Sequence, residues 1–177
     1  MTIEQLEHAI RAACEVAQDT EVWVFGSQAI LATYPDAPVS LRRSVEVDVQ
    51  PKNRPDQIDR VDGALGELSQ FHETHGFYVH GVPIENVELP DGWRDRTVKI
   101  SNPNTLDNTG YCLEAHDLAA SKLAAFRQRD LDFVRILLVE RLLDPETLIV
   151  RTRALPVHSE KQERLATWVS ITQQDLD

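Results

Sequence analysis

Glu46 and Asp48 are the residues of this chain best suited to do chemistry. They alternate with Val45, Val47 and Val49, so a strand through this segment turns both carboxylates to one face. Side chains two apart on a strand stand roughly 6–7 Å apart at their roots, and two carboxylates that close repel unless something positive lies between them. A divalent cation carrying a triphosphate is the obvious candidate, and hard oxygen ligands suit Mg²⁺ (or Mn²⁺). Upstream, Trp23, Val24 and Phe25 read as the end of a buried strand. Gly26-Ser27 follows as a tight turn where backbone can approach a phosphate. A plainer alternative stays open. The same alternation describes a half-exposed edge strand whose charges guard its solvent face.

A second informative stretch runs from His116 to Asp130. On one continuous helix Leu118, Ala119, Leu123, Phe126, Phe133 and Leu137 form the apolar face. Lys122 and Asp130 then lie about 40° to either side of Phe126 and border that stripe. Buried charges are costly unless paired or used. An ordinary ion network, joining Lys122 or Arg129 to Asp117 or Asp130, accounts for them without any function.

Gly-Ser after a strand, then acid-x-acid on a neighbouring strand, resembles the signature of polymerase-β-type nucleotidyltransferases. It resembles most the minimal branch around the AbiEii and MenT toxins, with Glu46-x-Asp48 standing where D-x-D is usual. The run D-L-x-x-x-K-L-x-A-x-R-x-R-D from Asp117 to Asp130 is similar to the helix that follows the sheet in AbiEii-like enzymes. The likeness spans most of residues 22–138, and the order of its short motifs carries it.

The resemblance implies roles for particular residues. Gly26 and Ser27 cradle the triphosphate of an NTP, and Glu46 and Asp48 bind the metal. Lys122 clamps the phosphates, Asp130 is an assisting acid, and Arg129 joins the nucleotide-binding set as part of the basic run 122–129. Ser44, two residues before Glu46, is a further nucleotide-site candidate that could accept the transferred group, although a structural hydroxyl is the better reading. The third carboxylate of the full enzymes has one candidate, Glu85, beside Pro83. The implied reaction moves a nucleotidyl group to an RNA (tRNA) or protein hydroxyl, with a toxin–antitoxin or defence role and a cognate partner. A catalytically silent nucleotide sensor or partner-binding module is the alternative, and a structural α+β interaction protein is a third.

Bulk properties limit the partners. The 177 residues suit one domain: a nucleotidyltransferase-like core over 1–142 and a C-terminal helical extension over 143–177. Acids outnumber Lys and Arg by 29 to 18, so a basic face for extended duplex DNA is absent globally. Local positive charge concentrates at Arg42-Arg43, Arg94-Asp95-Arg96 and Lys122 to Arg129. No run is long and apolar enough for a membrane helix, Met1 leads directly into a polar helix, and Cys14 and Cys112 match no metal or redox spacing. These features give an expected cytoplasmic location.

The expected fold is α+β, a nucleotidyltransferase-like mixed sheet flanked by helices with a helical C-terminal segment. Thr2 and Gln5 form a capping box opening a helix over 3–17, and Glu21 to Phe25 form the first strand. Ser27 is expected to cap a short helix through Leu31. Further helices are expected over 56–69, 116–142, 145–153 and 159–174, and strands over 77–82, 98–100 and 111–113. His72 and His75 suggest zinc by their i, i+3 spacing. Without a third ligand, a polar turn is the better reading.

Overall fold

The computed structural model describes residues 1–176. The chain forms two compact units, Met1–Asn86 with Thr97–Glu114, and Val87–Arg96 with Ala115–Asp177. The first holds a five-stranded mixed sheet. Its strands are β1 (Glu21–Phe25), β2 (Glu46–Pro51), β3 (Tyr78–Gly81), β4 (Val98–Ile100) and β5 (Thr109–Cys112), in the order β3-β2-β1-β5-β4. β1 is antiparallel to β2 and parallel to β5, β2 is parallel to β3, and β4 is antiparallel to β5. The expected α+β architecture is present.

One face of this sheet is apolar because the valines of β1 and β2 alternate. Val22, Val24, Val47, Val49 and Val79 are buried, together with Leu6, Ile10 and Ala13 of α1 (Ile3–Ala17) and Val61 of α3 (Ile58–Leu65). The capping box of α1 forms as the sequence predicts: Gln5 N donates to Thr2 Oγ1, and Thr2 N to Gln5 Oε1. The opposite face carries the polar members of the same strands, Glu46 and Asp48 among them.

Several expected elements of this unit differ. The helix expected over 56–69 stops at Leu65, and Gly66 leaves the helical conformation. The polar turn expected at His72–Gly76 belongs instead to a short helix, α4 (Gln70–His75), because the Ser69 hydroxyl caps it by accepting from His72 N. Ser27 caps nothing: Gly26 takes the cap position with no side-chain bond, and a 3₁₀ turn over Ser27–Ala29 leads into α2 (Ile30–Thr33).

The second unit is helical, with α5 (Ala115–Ala125), α6 (Gln128–Val139), α7 (Pro145–Arg153) and α8 (Ser159–Gln174). The last two have the predicted bounds, and Asp144 caps α7 by accepting from Thr147 N. The single helix expected over 116–142 is two. Phe126 has φ +54° and Arg127 is extended, so the chain breaks between α5 and α6. Phe126, expected on the buried stripe, is 37% exposed as a result.

The break changes the electrostatics. In a straight helix, residues eight apart are separated by ~12 Å along the axis. Here Lys122 Nζ reaches Asp130 Oδ1 at 3.3 Å, and Arg127 Nε donates to Asp130 Oδ2 at 2.6 Å. Buried Asp117 accepts two bonds from Arg96, at 2.8 and 2.9 Å, and Arg151 Nε lies 3.2 Å from it. Arg96 also donates to Asp91 O, so one carboxylate ties the segment Val87–Arg96 to α5 and α7. Asp117→Ala leaves two partly buried guanidinium groups without their counter-charge. It is expected to cost about 2–4 kcal/mol in urea unfolding. A cost below ~1 kcal/mol would mean that water replaces the carboxylate.

Candidate active site

The register of the sheet builds this site. Glu46 and Asp48 share one face of β2 by their spacing, and the parallel pairing sets Tyr78 of β3 beside Glu46 and His80 beside Asp48. Each acid therefore has its own neighbour. Tyr78 Oη donates to Glu46 Oε2 at 3.2 Å, which leaves Oε1 turned the other way. His80 Nδ1 lies 3.0 Å from Glu46 Oε1 and 2.9 Å from Asp48 Oδ1. These donor atoms lie within 4.8 Å of one another. Among the described residues, this is the group of histidine, cysteine and acid side chains able to hold a metal ion.

Gly26 closes the other side. The antiparallel register sets Phe25 opposite Asp48, so the turn after β1 meets the carboxylate directly. A Cβ at Gly26 would stand 2.0 Å from Asp48 Oδ2, and the residue has φ +74° and ψ −176°. Only glycine adopts that backbone cheaply, and only glycine leaves room for the carboxylate. The Gly26 turn and Asp48, 22 positions apart in the sequence, thus meet in space.

Crowding of like charge shows in the proton affinities. Asp48 is raised from 3.8 to about 6, first by burial and then by the Glu46 charge, with the His80 hydrogen bond opposing. Burial works against a charged His80, but the hydrogen bond and charge of Asp48 and the charge of Glu46 raise its pKa. The Tyr78 hydroxyl is pushed up to about 12 by burial and by Glu46. Two carboxylates and an imidazole sharing a proton is an arrangement that a divalent cation can replace.

The chain belongs to family DUF6036. The family's model is described as a nucleotidyltransferase of unknown function and matches residues 2–172. No curated protein and no solved structure matches the chain. In a nucleotidyltransferase family the implied substrate is an NTP, and divalent metals are the general cofactors. The DUF6036 match and the donor cluster agree on the class of chemistry. Among the described residues, no helix is long and apolar enough to cross a membrane.

The other candidates fall in different places. Ser44 is occupied locally, its hydroxyl accepting from Glu46 N at 3.2 Å, the pattern of a structural hydroxyl. Ser27 is half-buried within the 3₁₀ turn. In the helical unit Asp130 is buried against Lys122 and Arg127 while Arg129 is exposed. Burial opposes ionisation of Asp130, but Arg127 and Lys122 hold its carboxyl below the usual range. Glu85 is exposed on a 3₁₀ turn over Ile84–Asn86, outside the donor cluster. The side chain that completes the cluster is His80, which sequence reasoning missed. The available signal was the pair Tyr78 and His80, two apart on an expected strand like Glu46 and Asp48. His72 and His75 do not form a metal group: His72 Nδ1 accepts from Leu68 N, and His75 packs with His8, Phe71 and Phe77.

Proposed function

We propose that this protein is a metal-dependent nucleotidyltransferase that transfers a nucleotidyl group from an NTP to the hydroxyl of an RNA (tRNA) or of a protein. The observation that carries the proposal is the convergence of Glu46, Asp48 and His80 against the Gly26 turn. Mg²⁺ or Mn²⁺ held by Glu46 and Asp48 would neutralise phosphate charge as it develops. The backbone of Gly26 and Ser27 would receive phosphate oxygens. In the transfer, the acceptor oxygen bonds to the α-phosphorus as the bond to the β-phosphate oxygen breaks, and pyrophosphate leaves with that electron pair. The hydroxyl proton is released to solvent water as the oxygen attacks. Lys122, Asp130, Arg129 and a toxin–antitoxin or defence role enter through the likeness to AbiEii-type enzymes, in which the lysine binds phosphates.

The histidine in the third position favours a second reading, a sensor that binds nucleotide without turnover. One experiment covers both. The full chain is incubated with each labelled NTP, divalent metal, and total tRNA or protein, and its melting temperature is followed in parallel. Label transfer lost in Asp48→Asn supports the enzyme. Metal-dependent stabilisation of several degrees without transfer supports the sensor. Neither signal with any of the four NTPs would sink both.

A further inference from the structure

The third donor of this cluster is a nitrogen atom. Oε1 of Glu46, Oδ1 of Asp48 and Nδ1 of His80 face inward, and the outward oxygens are otherwise engaged. Oε2 of Glu46 is held by the Tyr78 hydroxyl, and Oδ2 of Asp48 lies against Gly26. The backbone after His80 is fixed as well. Gly81 N donates to Asp62 Oδ1 at 3.2 Å, and a Cβ at Gly81 would stand 2.4 Å from Ile58 O. Helix α3 thus lies directly against the end of β3 and fixes where the imidazole starts.

We infer that His80 makes this centre selective for Mn²⁺ over Mg²⁺. The inference rests on reading Glu46 and Asp48 as metal ligands and names the ion they hold with His80. Mg²⁺ demands near-ideal octahedral oxygen coordination and gives up its waters reluctantly. Imidazole nitrogen is a ligand for first-row transition ions, and Mn²⁺, the member of that series that also suits carboxylate oxygens, tolerates a mixed oxygen and nitrogen set better than Mg²⁺ does. Two carboxylates with a neutral imidazole also carry one negative charge less than three carboxylates. That loss weakens attraction for either dication, so the discrimination comes from the nitrogen. The Tyr78–Glu46 bond orients a ligand from behind, as outer-shell partners of metal sites do.

The test is calorimetric titration of the full chain with Mn²⁺ and Mg²⁺ separately, for wild type, His80→Asp, His80→Asn and Asp48→Asn. Wild type is expected to bind Mn²⁺ about tenfold or more tightly than Mg²⁺. His80→Asp, with three carboxylates, narrows the ratio to within about threefold. His80→Asn adds no charge and loses Mn²⁺ affinity more than Mg²⁺ affinity. It also covers the case in which a third carboxylate disrupts the fold. Pulsed electron resonance of bound Mn²⁺ shows a directly coordinated ¹⁴N in wild type and none in either His80 variant. An unchanged ratio in both variants, or tight Mn²⁺ without ¹⁴N coupling, overturns the role of His80 and leaves the carboxylate site standing. If neither ion binds wild type better than Asp48→Asn, the metal reading fails first, and this inference with it.

Discussion

Asp48→Asn is expected to lower metal-dependent nucleotidyl transfer by about 10³-fold or more while raising the melting temperature of the metal-free protein by a few degrees. The two effects have one cause. Asp48 is 24% exposed, set against Gly26 and next to the Glu46 charge, so its ionised form is costly without a cation. Its folded pKa stands at about 6, above the ordinary 3.8. A carboxyl raised in this way favours the folded state most below its unfolded value and loses that contribution as pH rises through 3.8 to 6. His80 adds in the same direction. Its raised folded pKa contributes stability below the unfolded value that disappears as the imidazolium loses its proton. The Glu46, Asp48 and His80 cluster of the metal-free protein therefore contributes less to stability at pH 7.5 than near pH 5, and asparagine removes part of that difference. Bound Mn²⁺ opposes the same repulsion, so the stabilisation it gives wild type grows from about pH 5 to pH 7 and is absent in Asp48→Asn. Thermal melts across this range, with and without metal, measure both halves. A variant that melts below wild type throughout would show that loss of the His80 partner outweighs relief of burial.

Gly26→Ala is expected to cost about 2–4 kcal/mol of stability and to abolish nucleotide-dependent stabilisation. Two penalties meet in one methyl group. A backbone at φ +74°, ψ −176° is strained for any other residue, and the new Cβ falls 2.0 Å from Asp48 Oδ2. A double-mutant cycle separates them. Adding Asp48→Ala to Gly26→Ala removes the clash and leaves the backbone strain, so part of the lost stability returns. Strict additivity of the two substitutions in urea unfolding would contradict the contact between turn and carboxylate.

Signals confined to a few neighbouring residues were legible in the chain. Thr2 with Gln5, and Asp144 ahead of Pro145, mark helix starts through bonds that span three residues, and those helices begin where expected. The alternation of Val47 and Val49 with Glu46 and Asp48 placed two acids on one side of β2, since strand periodicity is local. The division between α5 and α6 was not legible. No glycine or proline lies between Ala125 and Gln128, and what accompanies the left-handed Phe126 is a carboxylate, Asp130, held by Lys122 and Arg127. A periodic apolar pattern passes through such a point unchanged.

The residue types and spacing of this chain determined the α+β class, the helix starts, the polar face of β2 and the glycine turn that precedes it. Folding in three dimensions decided which groups share the site. His80 joins Glu46 and Asp48 because β3 runs parallel to β2 in one particular register, and a register shifted by a single residue would turn His80 to the apolar face. Gly26 meets Asp48 because β1 and β2 are antiparallel with Phe25 opposite that acid. Strand pairing across 23 and 32 positions is set by how the whole apolar face packs, and no local pattern encodes it.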